Sequence, residues 1–128
     1  MTGMETAVFY ATDVVQDWEA ARSRLLEAFT VSQAAAREER PIVYVVHGDD
    51  LLGRRGAPSA MAATGLLSAA RTAAVELTRS RVPVNVVAVG DDTDPAVVER
   101  WVEHLSDPDG PTGEIVRLDP SHIGKALP

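Results

Sequence analysis

Two stretches of the sequence end an apolar run on carboxylates. VYVVHGDD, Val43 to Asp50, stops at His47, Gly48, Asp49 and Asp50, and VNVVAVGDD, Val84 to Asp92, stops at Gly90, Asp91 and Asp92. In α/β proteins ligands bind beyond the carboxyl ends of the strands, so such strand ends are where an active site would be sought. Asp13, His47, Asp49, Asp50, Asp91, Asp92 and Asp94 are all expected along that edge. Carboxylate oxygens of this kind suit Mg²⁺ or Ca²⁺, and hydrolysis would then run through a metal-bound water. No spacing in the set matches a defined metal motif. The competing reading is that Asp and Gly end strands and cap helices in any acidic chain. That reading is the one expected here, with no metal assigned to His47, Asp49, Asp50, Asp91 or Asp92. His104 and His122 stand alone and carry no ligand set.

The 128 residues suit one domain, and a hydrophobic content of 45% is enough for a core. The formal net charge of −7 argues against nucleic acid or an anionic membrane as partner. The chain has no cysteine, which removes disulfides, thiolate chemistry and cysteine metal sites. It shows no basic, apolar leader and no run that could span a bilayer, so a soluble cytoplasmic protein is expected. The only lysine is Lys125, and the only tyrosines, Tyr10 and Tyr44, fall inside apolar runs.

These runs are Ala7–Ala11, Ile42–Val46, Val84–Val89 and Glu114–Leu118. The middle two are nearly continuous in Val and Ile, as parallel strands covered on both faces must be. Three helical patterns separate them. The first carries Trp18, Leu25, Phe29, Ser32 and Ala36 near one stripe, with Asp13 or Asp17 as cap, and Pro41 ends the segment. The second spans about Ser59 to Thr78, with Ser59 as its expected cap and Leu66, Ala70, Ala73 and Leu77 on one face. The third opens on Asp94-Pro95, a cap followed by proline in the first turn. Gly53-Arg54-Arg55-Gly56 reads as an exposed loop with solvated arginines, Thr112-Gly113 as a turn, and Trp18 and Trp101 as core or interface anchors. The order β-α-β-α-β-α-β predicts parallel pairing through crossovers.

With those elements placed, PSAMAATGLLSAARTAAVELTRSRVPVNVVAVG, Pro58 to Gly90, resembles the active-site helix and following strand of short-chain dehydrogenases/reductases. Glu76-Leu77, Val84-Asn85-Val86-Val87 and Gly90 fit the family pattern. DWEAARSRLLEAFTVSQAAAREERPIVYVV is similar to the preceding helix and strand, and LSDPDGPTGEIVRLD to the ending that carries Thr-Gly-Glu. The resemblance covers almost the whole chain, but only the second half of the family's Rossmann-like domain. It implies an α/β fold that is a truncated Rossmann-like half: about four parallel strands with three helices.

The same resemblance shows what is missing. Counting back from Glu76 puts Ser59 at the family's catalytic Tyr position and Ala63 at its Lys position. The helix Asn falls on Arg24 or Leu25, and the catalytic Ser on Val46 or His47. The family's acid is a phenol whose proton is loosened by a Lys cation, and Ser59 with no base or cation beside it cannot replace it. The glycine-rich turn that would hold a dinucleotide is absent, since the first run leads into Ala11-Thr12-Asp13. By resemblance, strands one to three of the full fold are missing, and the long substrate loop has shrunk to Asp91–Asp94.

The expected function is therefore a non-catalytic, cofactor-free subunit that acts through homo- or hetero-oligomer assembly. Its partner would be a second copy or a full-length reductase of the same family. The resemblance implies pairing through the helices at Asp17–Glu39 and Ser59–Arg79. Ala60, Ala63, Ala70 and Ala74 are small enough for close approach, and Phe29 and Leu67 could fill the seam. A precedent in kind is the structural half of polyketide ketoreductases. The alternatives are a small-ligand or divalent-metal enzyme using the acidic edge, and one half of a split ketoreductase completed by a partner. The edge strand Ala7–Ala11 and an incompletely covered sheet face point the same way, to at least a dimer.

Overall fold

The computed structural model describes residues 5–119. Its elements run β1 (Ala7–Ala11), α1 (Trp18–Arg37), β2 (Ile42–His47), α2 (Gly48–Leu51), α3 (Ala57–Glu76), a 3-10 turn (Thr78–Ser80), β3 (Val84–Val89), α4 (Pro95–His104) and β4 (Ile115–Arg117). The four strands form one all-parallel sheet in the order β1-β2-β3-β4. This is the expected α/β, Rossmann-like half-sheet, with one helix more than the periodicity suggested. The addition, α2, is a single turn on Gly48–Leu51, the residues read as a polar strand end.

Every residue of β2 and β3 is buried, so neither strand has a polar face. On the front face Phe9, Tyr44, Val46 and Val86 meet Leu66, Leu67 and Ala70 of α3 and the small residues Ala28 and Ala35 of α1. On the back face Val43, Val45, Val87 and Val89 meet Val98 and Leu105, with Val102 beside them. Thus α1 and α3 cover one side and α4 covers the other. The strand order advances in one direction throughout, so the first two crossovers share one hand and the third has the opposite hand. About 98% of such connections are right-handed, and with the usual hand for the pair, the passage through α4 is the exception.

Local chemistry explains the boundaries. Asp17 caps α1 by accepting from the Ala20 N–H at 2.8 Å, and Asp94 caps α4 by accepting from Ala96 N–H at 2.9 Å, with Pro95 in the first turn. α3 begins two residues earlier than expected. Its N-cap is Gly56, at φ 102, and no side chain caps it. Ser59 is therefore not the cap.

The stripe read on the first helix is displaced as well. Ala21, Ala28 and Ala35 face inward, at a spacing of two turns, while Trp18 and Phe29 are exposed. Alanines allow α1 to lie close on the sheet, whereas the larger residues would hold it away. Trp101 is also exposed and stacks near His104, with ring centroids 5.7 Å apart, so neither tryptophan is a core anchor.

Asn85 ties β4 to the sheet. It is fully buried, donates through Nδ2 to Pro111 O at 2.9 Å and accepts at Oδ1 from Glu114 N–H at 3.0 Å. Thr112 Oγ1 accepts from Val84 N–H at 3.0 Å, and Gly113, at φ 75, donates to Val84 O at 2.8 Å. Asn85→Ala orphans a main-chain acceptor and a main-chain donor and leaves a small void. The expected loss is about 2–4 kcal/mol in urea denaturation, with amide exchange speeding first in β4.

Candidate functional site

At the carboxyl edge of the sheet, where the sequence places its possible chemistry, the buried polar side chains are tied to partners within the chain, and a cleft of about 300 Å³ opens on the back side, lined by Thr12, Val89, Thr93 and Pro95 among others. His47 is the last residue of β2 and is buried. Its Nδ1 accepts from Asp49 N–H at 3.1 Å, which caps α2, and this leaves the ring proton on Nε2, 2.8 Å from Asp91 Oδ1. Both nitrogens are thus engaged, one with α2 and one with the loop after β3. A histidine so held has no free nitrogen to take a proton from a substrate.

Asp50 is 1% exposed and receives Arg55 Nε and Nη2, each at 2.8 Å. The same Nη2 reaches Thr12 O at 2.6 Å, just beyond β1. The planar fork matches the carboxylate bidentately, which is the strong form of this bond. Hydrogen bonding to Asp50 outweighs partial burial and holds the Arg55 guanidinium above its ordinary pKa, so it stays charged. The pair joins the ends of β1 and β2 through α2. Arg55 is therefore not a solvated loop arginine, which corrects the reading from sequence; its neighbour Arg54 is exposed and only approaches Asp49 Oδ1, at 3.5 Å.

Asp119 lies 3.8 Å from Arg117 Nη2 and presses on Gly48, where an added Cβ would sit 2.2 Å from its Oδ2. Asp94 is a helix cap. Asp92 and Asp13 are exposed. Among the described residues no three His, Asp or Glu side chains converge so as to hold a metal ion. Thus His47, Asp49, Asp50 and Asp91 are brought to one edge, as the strand ends required, but they do not converge on a common point: His47 pairs with Asp91, Asp50 with Arg55, and Asp49 approaches Arg54. His122 lies outside the described residues.

The positions matched to the reductase tetrad are equally occupied by structural work. Ser59 is 1% exposed, and its Oγ accepts from Val15 N–H at 2.8 Å, pinning the loop between β1 and α1 against α3. Ala63 and Val46 are buried in the front core. Of the residues named for a helix seam, Ala63, Leu67, Ala70 and Ala74 are buried within this chain's own core, Ala60 is half-buried, and Phe29 is exposed. Phe29 borders a cleft of about 300 Å³ between α1 and α3, lined also by Leu25, Gly65, Ala69 and Ala73. At its floor the Tyr44 hydroxyl hydrogen-bonds Ser32 Oγ. Burial raises the Tyr44 pKa, and the Ser32 bond offsets only part of that rise.

A larger groove runs along the back of β1 beside α4, with a volume of about 970 Å³. No local pattern of residues announces it, because it depends on which face α4 takes. No protein-family model matches the chain, and no curated protein matches it.

Two outcomes test these ties. Arg55→Ala strands a buried carboxylate and is expected to cost about 3 kcal/mol in denaturant unfolding, near the lower bound for a broken buried pair because Arg55 itself is partly exposed. Adding millimolar Mg²⁺ or Ca²⁺ is expected to leave the Tm of the unmutated protein unchanged, since a ligand of the folded state alone would raise it.

Proposed function

We propose that the protein is a non-catalytic, short-chain-reductase-like subunit that acts by assembly, in the cytoplasm, with a second copy of itself or with a full-length reductase. The observation that carries this reading is that the buried polar groups of the carboxyl edge are engaged with partners within the chain. The place where a reductase would do its chemistry is filled by His47–Asp91 and Asp50–Arg55. The tetrad positions hold Ser59, committed to Val15, and the buried Ala63. No helix among the described residues is long and apolar enough to cross a membrane.

The surface favoured for assembly is the outer face of α1 and α3. Leu26, Phe29, Met61 and Val75 are all at least half exposed there, a poor arrangement for an isolated domain in water. The cleft between the two helices is bordered by Phe29 and carries Gly65, Ala69 and Ala73 along its α3 side, so a helix from a partner can approach closely. The seam then uses Phe29 and its exposed neighbours, with the alanines beneath serving the chain's own core.

Light scattering on a size-exclusion column at micromolar concentration is expected to give a dimer or larger species, and Phe29→Glu to shift it towards monomer with unchanged circular dichroism. A monodisperse unmutated monomer that also recovers no partner from its host would overturn the proposal. Calorimetric titration with NAD(H) or NADP(H) is expected to show no low-micromolar binding. Ser59→Tyr with Ala63→Lys is expected to lose stability and gain no carbonyl reduction, because Ser59 and Ala63 are buried and cannot enlarge without displacing Val15 or the front core.

A further inference from the structure

We propose that the outer edge of β1, with the groove behind it, is a docking site at which a partner adds an extended, basic segment to the sheet as a fifth strand. The site lies on a different surface from the α1/α3 face and does not depend on it.

The main chain of β1 supplies the first part of the argument. Ala7 N–H donates to Pro41 O at 2.8 Å, and the strand pairs in parallel with β2 in single-residue register. In such a strand alternate residues turn both main-chain groups to the same side. Ala7, Phe9 and Ala11 therefore turn to β2, and Val8 and Tyr10 turn their N–H and C=O outward. Among the described residues no strand pairs with that side. The open stretch is bounded where β1 ends, because the carbonyls of Thr12 and Asp13 accept from Arg55 and Arg24. Meanwhile the front-facing side chains Ala7, Phe9 and Ala11 are buried in the core, so the strand is held in an extended form before any partner arrives. Soluble proteins usually guard such an edge with a charged side chain, a proline or a bulge. Here the two outward residues are Val and Tyr, and Tyr10 is 61% exposed.

The groove supplies the second part. Its floor is Val8, Tyr10 and Val102, and its rim carries Glu5, Glu99 and Glu103 against a single cation, Arg100. A strand added beside β1 would send every second side chain to this back face. There an arginine or lysine meets the acidic rim, and its aliphatic stem covers Tyr10. The same charges oppose self-pairing: a two-fold contact through this patch sets the patch against itself, and the whole chain carries a net charge of −7. The occupant fitting both the edge and its charge is thus an extended segment of another protein, with basic residues at alternate positions. Main-chain bonds would supply affinity and the alternate side chains specificity.

The probe is a capped peptide of alternating Val and Arg, with two comparisons: the same peptide with Glu for Arg, and one N-methylated at alternate amides so that it cannot donate along one side. Calorimetry is expected to show saturable one-to-one binding of the first peptide only. Hydrogen exchange is expected to slow at the Val8 and Tyr10 amides in the complex. Glu99→Gln with Glu103→Gln is expected to weaken binding about tenfold. Val8→Pro removes a main-chain donor to which no strand pairs among the described residues, and is expected to abolish binding. Should Val8→Pro fail to fold, the N-methylated peptide makes the same distinction.

Absence of binding overturns the site, as does equal affinity for the N-methylated peptide, which would mean charge adsorption alone. A bound peptide that becomes helical would make the groove a helix site and overturn strand addition. Concentration-dependent protection of Val8 and Tyr10 without peptide would mean that a second copy takes the edge, and would also overturn it. Because dimerisation through Phe29 is read separately by light scattering, either proposal can fail while the other stands.

Discussion

Everything in this fold follows from two strands that have no polar side. β2 and β3 are apolar on both faces, so the sheet cannot be satisfied by helices stacked on one side only. Two helices cover the front and one covers the back, which forces one of three successive crossovers to reverse hand. That reversal decides the rest of the surface. It leaves the front broadly covered by α1 and α3, and it leaves the back covered over β2 and β3 but open beside β1.

The carboxyl edge illustrates how buried polar residues at a strand end can be spent on one another. A carboxylate is useful to a substrate or a cation only while some of its oxygens are unclaimed. Asp50 has both oxygens on Arg55, and His47 has both nitrogens engaged. Each residue combines a local bond, Asp50 with Arg55 and His47 with Asp49, with one to a distant part of the chain: Arg55 reaches Thr12, and His47 reaches Asp91. They serve as ties between strand ends, and the small residue Gly48 lets Asp119 approach the same corner from β4.

The strands and their order were legible because apolar runs bounded by Pro, Asp and Gly have one simple reading. The limits of β1 and β3 agree residue for residue with the runs in the sequence, and the caps Asp17 and Asp94 fall where the chemistry of helix starts puts them. The helix faces were harder. Periodicity favoured Phe29 and Trp18 on α1 because they are large, yet close packing on the sheet selected Ala21, Ala28 and Ala35. Ser59 looked like a cap because it follows Pro58, but its hydroxyl answers a main-chain N–H 44 residues away, which no local pattern encodes. The Asp50–Arg55 pair was in view as residue types five apart; α2 had to form before they could meet.

The two margins of the sheet are unequal in a way that bears on motion. β1 has five residues with three buried against the front core, whereas β4 has three, all half-buried, and leans on Asn85, Thr112 and Gly113 for its attachment. Local opening in a protein begins where few apolar contacts must be broken. Thermal fraying of this molecule therefore starts at β4, while the β1 margin stays ordered. Of the two strands that have a neighbour on one side only among the described residues, β1 is the durable one and β4 the first to let go.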